Sequence, residues 1–295
     1  MKLQNGFYPA LGTPLDSDGN FIEESMRIQV ELMSVAGASG YLALGSMGQQ
    51  PCVKDSEIPA VARSVVAAAG GNAPVFVGCM DNSLARIRAR FDALKGVKID
   101  GVVLTTPYYF TSSDNDLALF FTKVCEMSPF PVYLYDLPGV TKQKITYSLV
   151  TKLMYLPNLA GIKGGDPILM RDLLSRGDIK DSFNLLFSGL DIFDIAYSYG
   201  LTKQLDGMFC CVPKLTKRLY AALASGDKAG SAKALNDLVD MRDFLLSMEI
   251  FQAFTAAMNT LGCAGSFHPD YFVEIDGETV EKVAAKMVEI GEITV

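Results

Sequence analysis

Eight short apolar runs recur along this chain. They are "FYPALG" (7–12), "GYLALG" (40–45), "PVFVGC" (74–79), "GVVLTT" (101–106), "PVYLYD" (131–136), "LAGIK" (159–163), "NLLFSG" (184–189) and "LDGMFC" (205–210). Apolar residues fill them almost continuously instead of alternating with polar ones, as strands buried on both faces require. Such strands are parallel and lie beneath helices, because a parallel connection needs a crossover of a dozen or more residues. Stretches of helical period fall between them, among them "IEESMRIQVELMSVAG" (22–37), "DSEIPAVARSVVAAAGG" (55–71), "SLARIRARFDALKG" (83–96) and "NDLALFFTKVCEM" (115–127). Several end in Gly, the residue that accepts a left-handed cap without strain. The pattern predicts an α/β fold, a (β/α)8 TIM barrel, over residues 1–227. Residues 228–295 read as a C-terminal helical extension packed on it: "KAGSAKALNDLVDMRDFLLSM", "IFQAFTAAMNTLG" and "GETVEKVAAKMVEIGE". An open doubly wound sheet would carry a G-x-G-x-x-G turn after its first strand. Here that strand runs into "TPLDSDGN".

Charge and residue counts narrow the function classes. The net charge is −7, and no dense Lys/Arg run could track a phosphate backbone, so no nucleic-acid partner is expected. The richest apolar window, "IPAVARSVVAAAGG", carries Arg63 and is too short to span a bilayer. The start, "MKLQNGFYPA", lacks the apolar core of a signal peptide. A soluble cytoplasmic protein with no membrane partner is the expectation. Six cysteines (Cys52, Cys79, Cys125, Cys210, Cys211, Cys263) form no C-x-x-C and read as small buried hydrophobes. The single histidine, His268, cannot alone supply the two or three imidazoles usual in a catalytic zinc site. It reads as a loop residue, and no metal is expected.

The chemistry of such a barrel lies where its strands end. There the sequence places "GSMGQ" (45–49), "TPYYF" (106–110), "YDLPG" (135–139), Lys163, "SGLD" (188–191) and "FCCVP" (209–213). Lysine is rarely buried unless it is paired or used. An amine shut away from water holds its proton less tightly, and the free amine attacks carbonyl carbon to give an imine. Phenols can shuttle the protons of that reaction, and amides of a Gly-rich turn can receive a carboxylate. Each piece also has a plain reading. Lys163 could snorkel to solvent, "GSMG" could be an ordinary turn, and the tyrosines could be packing.

Taken together, these segments resemble the dihydrodipicolinate synthase / N-acetylneuraminate lyase family of class I aldolases. The carriers are "GFYPALGTPLDSDG", "GSMGQ", Thr106–Tyr109, "YDLPGVT" (135–141), "GIK" (161–163) and "GMFCCVP". The resemblance implies that Lys163 forms an imine with pyruvate or another 2-keto acid, with no cofactor, and that Tyr135 transfers protons above it. It implies that Ser46, with the turn of Gly45, Met47 and Gly48, meets the carboxylate and links the proton relay. Tyr109 would complete the relay in a neighbouring subunit of a homotetramer, a dimer of dimers. Phe209 would touch the keto acid, and Gly189 and Asp191 would face the rest of the substrate.

The chain departs from the family pattern at several positions. Met47 replaces a hydroxyl residue, Gln49 an acid and Asp136 an asparagine. Val140 stands where dihydrodipicolinate synthases carry an arginine, and Ile192 where sialic acid lyases carry a glutamate. The expectation is a lyase acting on pyruvate and an aldehyde through a 2-keto-3-deoxy sugar acid or related compound. The alternatives are a dihydrodipicolinate synthase, a Schiff-base dehydratase of 4-hydroxy-2-keto acids, or a catalytically impaired barrel that only binds keto acids.

Overall fold

The computed structural model describes residues 1–177 and 179–294. Its strands are β1 (Gly6–Pro9), β2 (Tyr41–Ala43), β3 (Val75–Gly78), β4 (Gly101–Thr105), β5 (Val132–Asp136), β6 (Leu159–Gly164), β7 (Asn184–Phe187) and β8 (Lys203–Asp206). Helices α1 (Glu23–Ala36), α2 (Ile58–Ala69), α3 (Leu84–Ala93) and α4 (Asp114–Met127) separate the first five strands. The short α5 (Pro138–Thr141) and α6 (Tyr147–Leu153) follow β5. Then come α7 (Pro167–Ser175), α8 (Phe193–Ser198) and α9 (Pro213–Ser225). The C-terminal helices are α10 (Lys228–Leu246), α11 (Ile250–Thr260) and α12 (Gly277–Glu289).

The ladder runs β1-β8-β7-β6-β5-β4-β3-β2, with every pairing parallel. It closes through a bridge between Ala10 and Leu42, where the Leu11 amide donates to the Leu42 carbonyl at 2.8 Å. The result is the expected barrel. Tyr8, Leu42, Phe76, Val103, Tyr133, Leu186 and Leu205 fill its interior, so it is a packed core and not a pore. Phe76 and Tyr133 meet edge to face at 4.9 Å. Lys163 sits on top of this layer. A second, larger apolar layer lies between the strands and the helices.

The eighth strand differs from the expectation of 205–210. It begins two residues earlier and stops at Asp206, whose carboxylate accepts from the Met208 amide at 2.8 Å. The following Met208–Cys211 segment is a buried 3-10 turn. Apolarity there reports burial, which strand and turn share. Phe209 is packed against Phe7, Phe193 and Tyr220, and burying such a ring is worth about 1.5–3 kcal/mol. Cys79, Cys125, Cys210, Cys211 and Cys263 are buried free thiols, and burial pushes Cys79 and Cys125 up to about 12. His268 is buried and stacked on Phe272, with Nδ1 3.0 Å from the Pro269 carbonyl.

The C-terminal helices return to the barrel. Helix α10 packs on α9 and reaches α8. Past α12, the Glu292 carboxylate accepts from the Lys214 and Leu215 amides at 2.8 and 3.0 Å. It thereby satisfies donors that the first turn of α9 would otherwise leave unpaired.

Candidate active site

Lys163 and Tyr135 are register partners on adjacent strands, so both side chains rise on the same inner face of the barrel. Lys163 is 4% exposed and Tyr135 5% exposed. The Lys163 Nζ lies 3.9 Å from the centroid of the Tyr135 ring. The nitrogen thus sits over the face of the phenol ring, and both side chains are buried away from water. The Tyr135 hydroxyl is 3.3 Å from Ser46 Oγ, so amine, phenol and hydroxyl form one contiguous group.

The turn carrying Ser46 is held by its surroundings. Leu44 and Gln49 take positive φ values of 56° and 43°, conformations that a side-chain-bearing residue adopts at a cost of about 1–3 kcal/mol each. Gly78 makes room for this turn, because a Cβ there would meet the Leu44 carbonyl oxygen at 1.8 Å. The Gln49 amide closes the turn onto the Ser46 carbonyl at 3.0 Å. Among the described residues, the amides of Ser46 and Met47 donate to no protein oxygen. They are thus available to an anion.

These groups open into a cavity of about 670 Å3. Ser46, Met47, Tyr135, Asp136, Lys163, Gly165, Ser188 and Met208 line it near the lysine. Lys144, Asp166, Asp206, Arg242 and Ile250 also line it. Asp136 is buried, and its Oδ1 accepts from the Ile145 amide at 2.7 Å. Its Oδ2 has no partner among the described residues. Burial pushes the Asp136 carboxyl up, against the pull of that amide and of Lys144. Asp206 is raised by burial too, with the Met208 amide, Lys163 and Arg242 pulling it back. Asp166 caps α7 by accepting from the Ile168 and Leu169 amides and pairs with Lys144. Burial pushes the Asp166 carboxyl up, but Lys144 and the two amides overcome this and leave it lowered. Among the described residues, no three His, Cys, Asp or Glu side chains converge as a metal site.

The sequence-predicted residues divide into two groups. Lys163, Tyr135, Ser46 and Met47 come together. Gly45 and Gly48 belong to the same turn, and the Gly48 carbonyl accepts from the Thr13 hydroxyl at 2.7 Å. The others lie elsewhere. Val140 is 61% exposed and lines a smaller, largely apolar cavity of about 210 Å3, next to the first and sharing Ser46 and Leu137 with it. Phe209 is sunk in the aromatic cluster behind β8. Gly189 packs against Phe187 and Gly165, and neither it nor Asp191 lines the main cavity. Asp191 instead grips Arg242. Tyr109 is 79% exposed and lines neither cavity of its own chain. Its ring leans on Phe110 at 4.9 Å. Sequence reasoning missed Asp206, Lys144, Asp166 and Arg242. Asp206 is the lone acid inside the quoted run 205–210 and could have been found there. Arg242 sits in an ordinary amphipathic helix and carries no local signal.

The profile described as the dihydrodipicolinate synthetase family matches residues 3–287. The chain belongs to that family. A 4-hydroxy-tetrahydrodipicolinate synthase from Roseobacter denitrificans is 30% identical over 231 residues, 76% of this chain and 77% of that one. One from Halalkalibacterium halodurans is 28% identical over 86% of this chain and 87% of its own. Among solved structures, a dihydrodipicolinate synthase from Bacillus anthracis superimposes with a TM-score of 0.89 at 21% identity, covering 100% of both chains. A prophage protein of the family from E. coli K12, solved in complex with pyruvate, gives 0.87 at 21% identity over 98% of this chain and 99% of that chain. The barrel is thus the family's fold, and the chain is a lyase of a pyruvate-dependent aldolase family.

Proposed function

We propose that the chain is a class I lyase that makes or breaks a carbon–carbon bond between pyruvate and an aldehyde, by way of an imine on Lys163. The observation that carries this reading is the buried Lys163 amine, 3.9 Å from the Tyr135 ring, with the Tyr135 hydroxyl on Ser46. In the cleavage direction the amine attacks the C2 carbonyl of a 4-hydroxy-2-keto acid, and water leaves from the carbinolamine. The resulting iminium draws electrons from the C3–C4 bond as Tyr135 takes the proton of the C4 hydroxyl. An aldehyde departs and an enamine remains. Protonation at C3 and hydrolysis release pyruvate and restore the amine. The Ser46 and Met47 amides receive the keto acid's carboxylate, as main-chain donors in a turn can. The imine serves as the electron sink, so no cofactor is required.

Tyr109 completes the relay from a second copy. Two observations support this: its exposed ring on its own chain, and the apolar notch beside Ser46, Leu137, Val140 and Phe251 that such a ring would fill. A homotetramer, working in the cytoplasm, is the assembly proposed.

The substrate proposed is a 2-keto-3-deoxy sugar acid or a close relative. The curated relatives' names favour a second reading, 4-hydroxy-tetrahydrodipicolinate synthesis. Against it, Val140 offers no charge to an acidic aldehyde. Purified protein given 2-keto-3-deoxygluconate should release pyruvate, and Lys163→Ala should release none. Equal release from both would refute the role of Lys163.

A further inference from the structure

The outer half of the main cavity is built by residues that the imine chemistry does not use. Arg242 comes from α10, in the C-terminal extension, and its side chain is 21% exposed. Nη1 and Nη2 donate to the two Asp191 oxygens, both at 2.8 Å. Nε and Nη2 lie 2.9 and 2.8 Å from Asp243 Oδ1. A guanidinium has five N–H bonds in a fixed plane. The hydrogen bonds use three of them, one on each nitrogen. Nη2 is also in ion-pair contact with Asp243, and the second N–H of Nη1 makes no hydrogen bond among the described residues. The position after β7 where substrate contact was expected of Asp191 therefore acts through the arginine it holds.

The charge count around the mouth is informative. Lys144 and Arg242 are its cations apart from Lys163. Lys144 is paired with Asp166, and Arg242 with Asp191 and Asp243. Once Lys163 is an iminium, its charge is balanced by the carboxylate of the keto acid joined to it. That leaves two cations facing three carboxylates, before the buried Asp136 and Asp206 are counted. A second anion on the substrate would meet no unspent positive charge. A hydroxyl group meets what it needs: an Arg242 N–H that bonds no protein oxygen among the described residues, and acceptor oxygens close by.

We propose that Arg242, fixed by Asp191, is the specificity-determining residue for the part of the substrate beyond the imine, and that it selects an uncharged, hydroxylated aldehyde. This rests on the Lys163 reading above and extends it to a residue of the C-terminal extension. Sites built to hydrogen-bond a hydroxyl discriminate strongly against analogues that lack it.

The test is condensation of pyruvate with three aldehydes: D-glyceraldehyde, propanal and succinic semialdehyde. The parent enzyme should favour glyceraldehyde in kcat/KM by roughly tenfold or more over each of the others. In Arg242→Met, the KM for glyceraldehyde should rise by about tenfold, kcat should change far less, and the preference over propanal should collapse. Asp191→Asn, which loosens the arginine without removing it, should give an intermediate loss. The proposal is overturned if succinic semialdehyde is the better substrate of the parent, or if folded Arg242→Met keeps the parental preference. Should the Met variant not fold, the parent's ranking and Asp191→Asn decide alone. Borohydride trapping of pyruvate on the parent separates the two readings. Trapping without the predicted aldehyde ranking refutes only the role of Arg242, whereas absence of trapping refutes the imine and this inference with it.

Discussion

At the scale of single residues, the site is a small set of groups whose neighbours set their state. Asp136 illustrates the sign of such effects. Its folded pKa lies above the ordinary 3.8 because burial disfavours the charged form and one oxygen lacks a donor. The stability tied to its protonated form is therefore fully present below pH 3.8 and is lost as the pH rises through the folded value. Asp136→Asn, which cannot ionise, should be more stable than the parent at pH 7, and the gain should vanish as the pH falls below about 4. Urea midpoints measured across that range check it, and a variant less stable at pH 7 would contradict it. Lys163 and Tyr135 were legible in the sequence because a lysine ending an apolar strand and a tyrosine ending its neighbour are chemically conspicuous. Arg242 was not. Its neighbours Asp191 and Asp243 come from two different elements, and only the fold brings Arg242 to the cavity.

At the scale of elements, strand ends and the turns after them position the chemistry. Beneath Ser46, the left-handed Leu44 fits only because Gly78 has no side chain. Gly78→Ala should push the Leu44 carbonyl away and cost roughly 2 kcal/mol or more, a range typical of substitutions that clash within a packed core. Turnover should fall with it, because the Ser46 hydroxyl moves off Tyr135. Thermal unfolding and a steady-state assay measure the two losses, and an unchanged melting temperature would contradict the clash. The first seven strands were legible to within a few residues because parallel strands buried on both faces are continuously apolar. The end of β8 was not, since the buried 3-10 turn after it is equally apolar and the stop is set by the Asp206 carboxylate.

At the scale of the whole molecule, the barrel supplies the lysine, the C-terminal helices supply Arg242, and a second copy is proposed to supply Tyr109. Exposed Tyr109 and Phe110 on one loop are what an interface would cover. Sedimentation velocity should give a particle four times the 31.9 kDa chain. Tyr109→Ala should lower kcat by more than tenfold although the tyrosine lies outside its own chain's cavity, the range expected for loss of a proton-relay group. A monomeric, fully active Tyr109→Ala protein would refute the shared site.

Lys163 is proposed to join covalently to a keto acid. Incubation with pyruvate, reduction with borohydride and weighing of the intact chain test it directly. One 1-carboxyethyl group per chain, mapped to Lys163 and absent from Lys163→Ala, is the predicted result. An unmodified chain that pyruvate nonetheless protects against thermal unfolding would contradict it and would describe a barrel that binds keto acids without reacting with them.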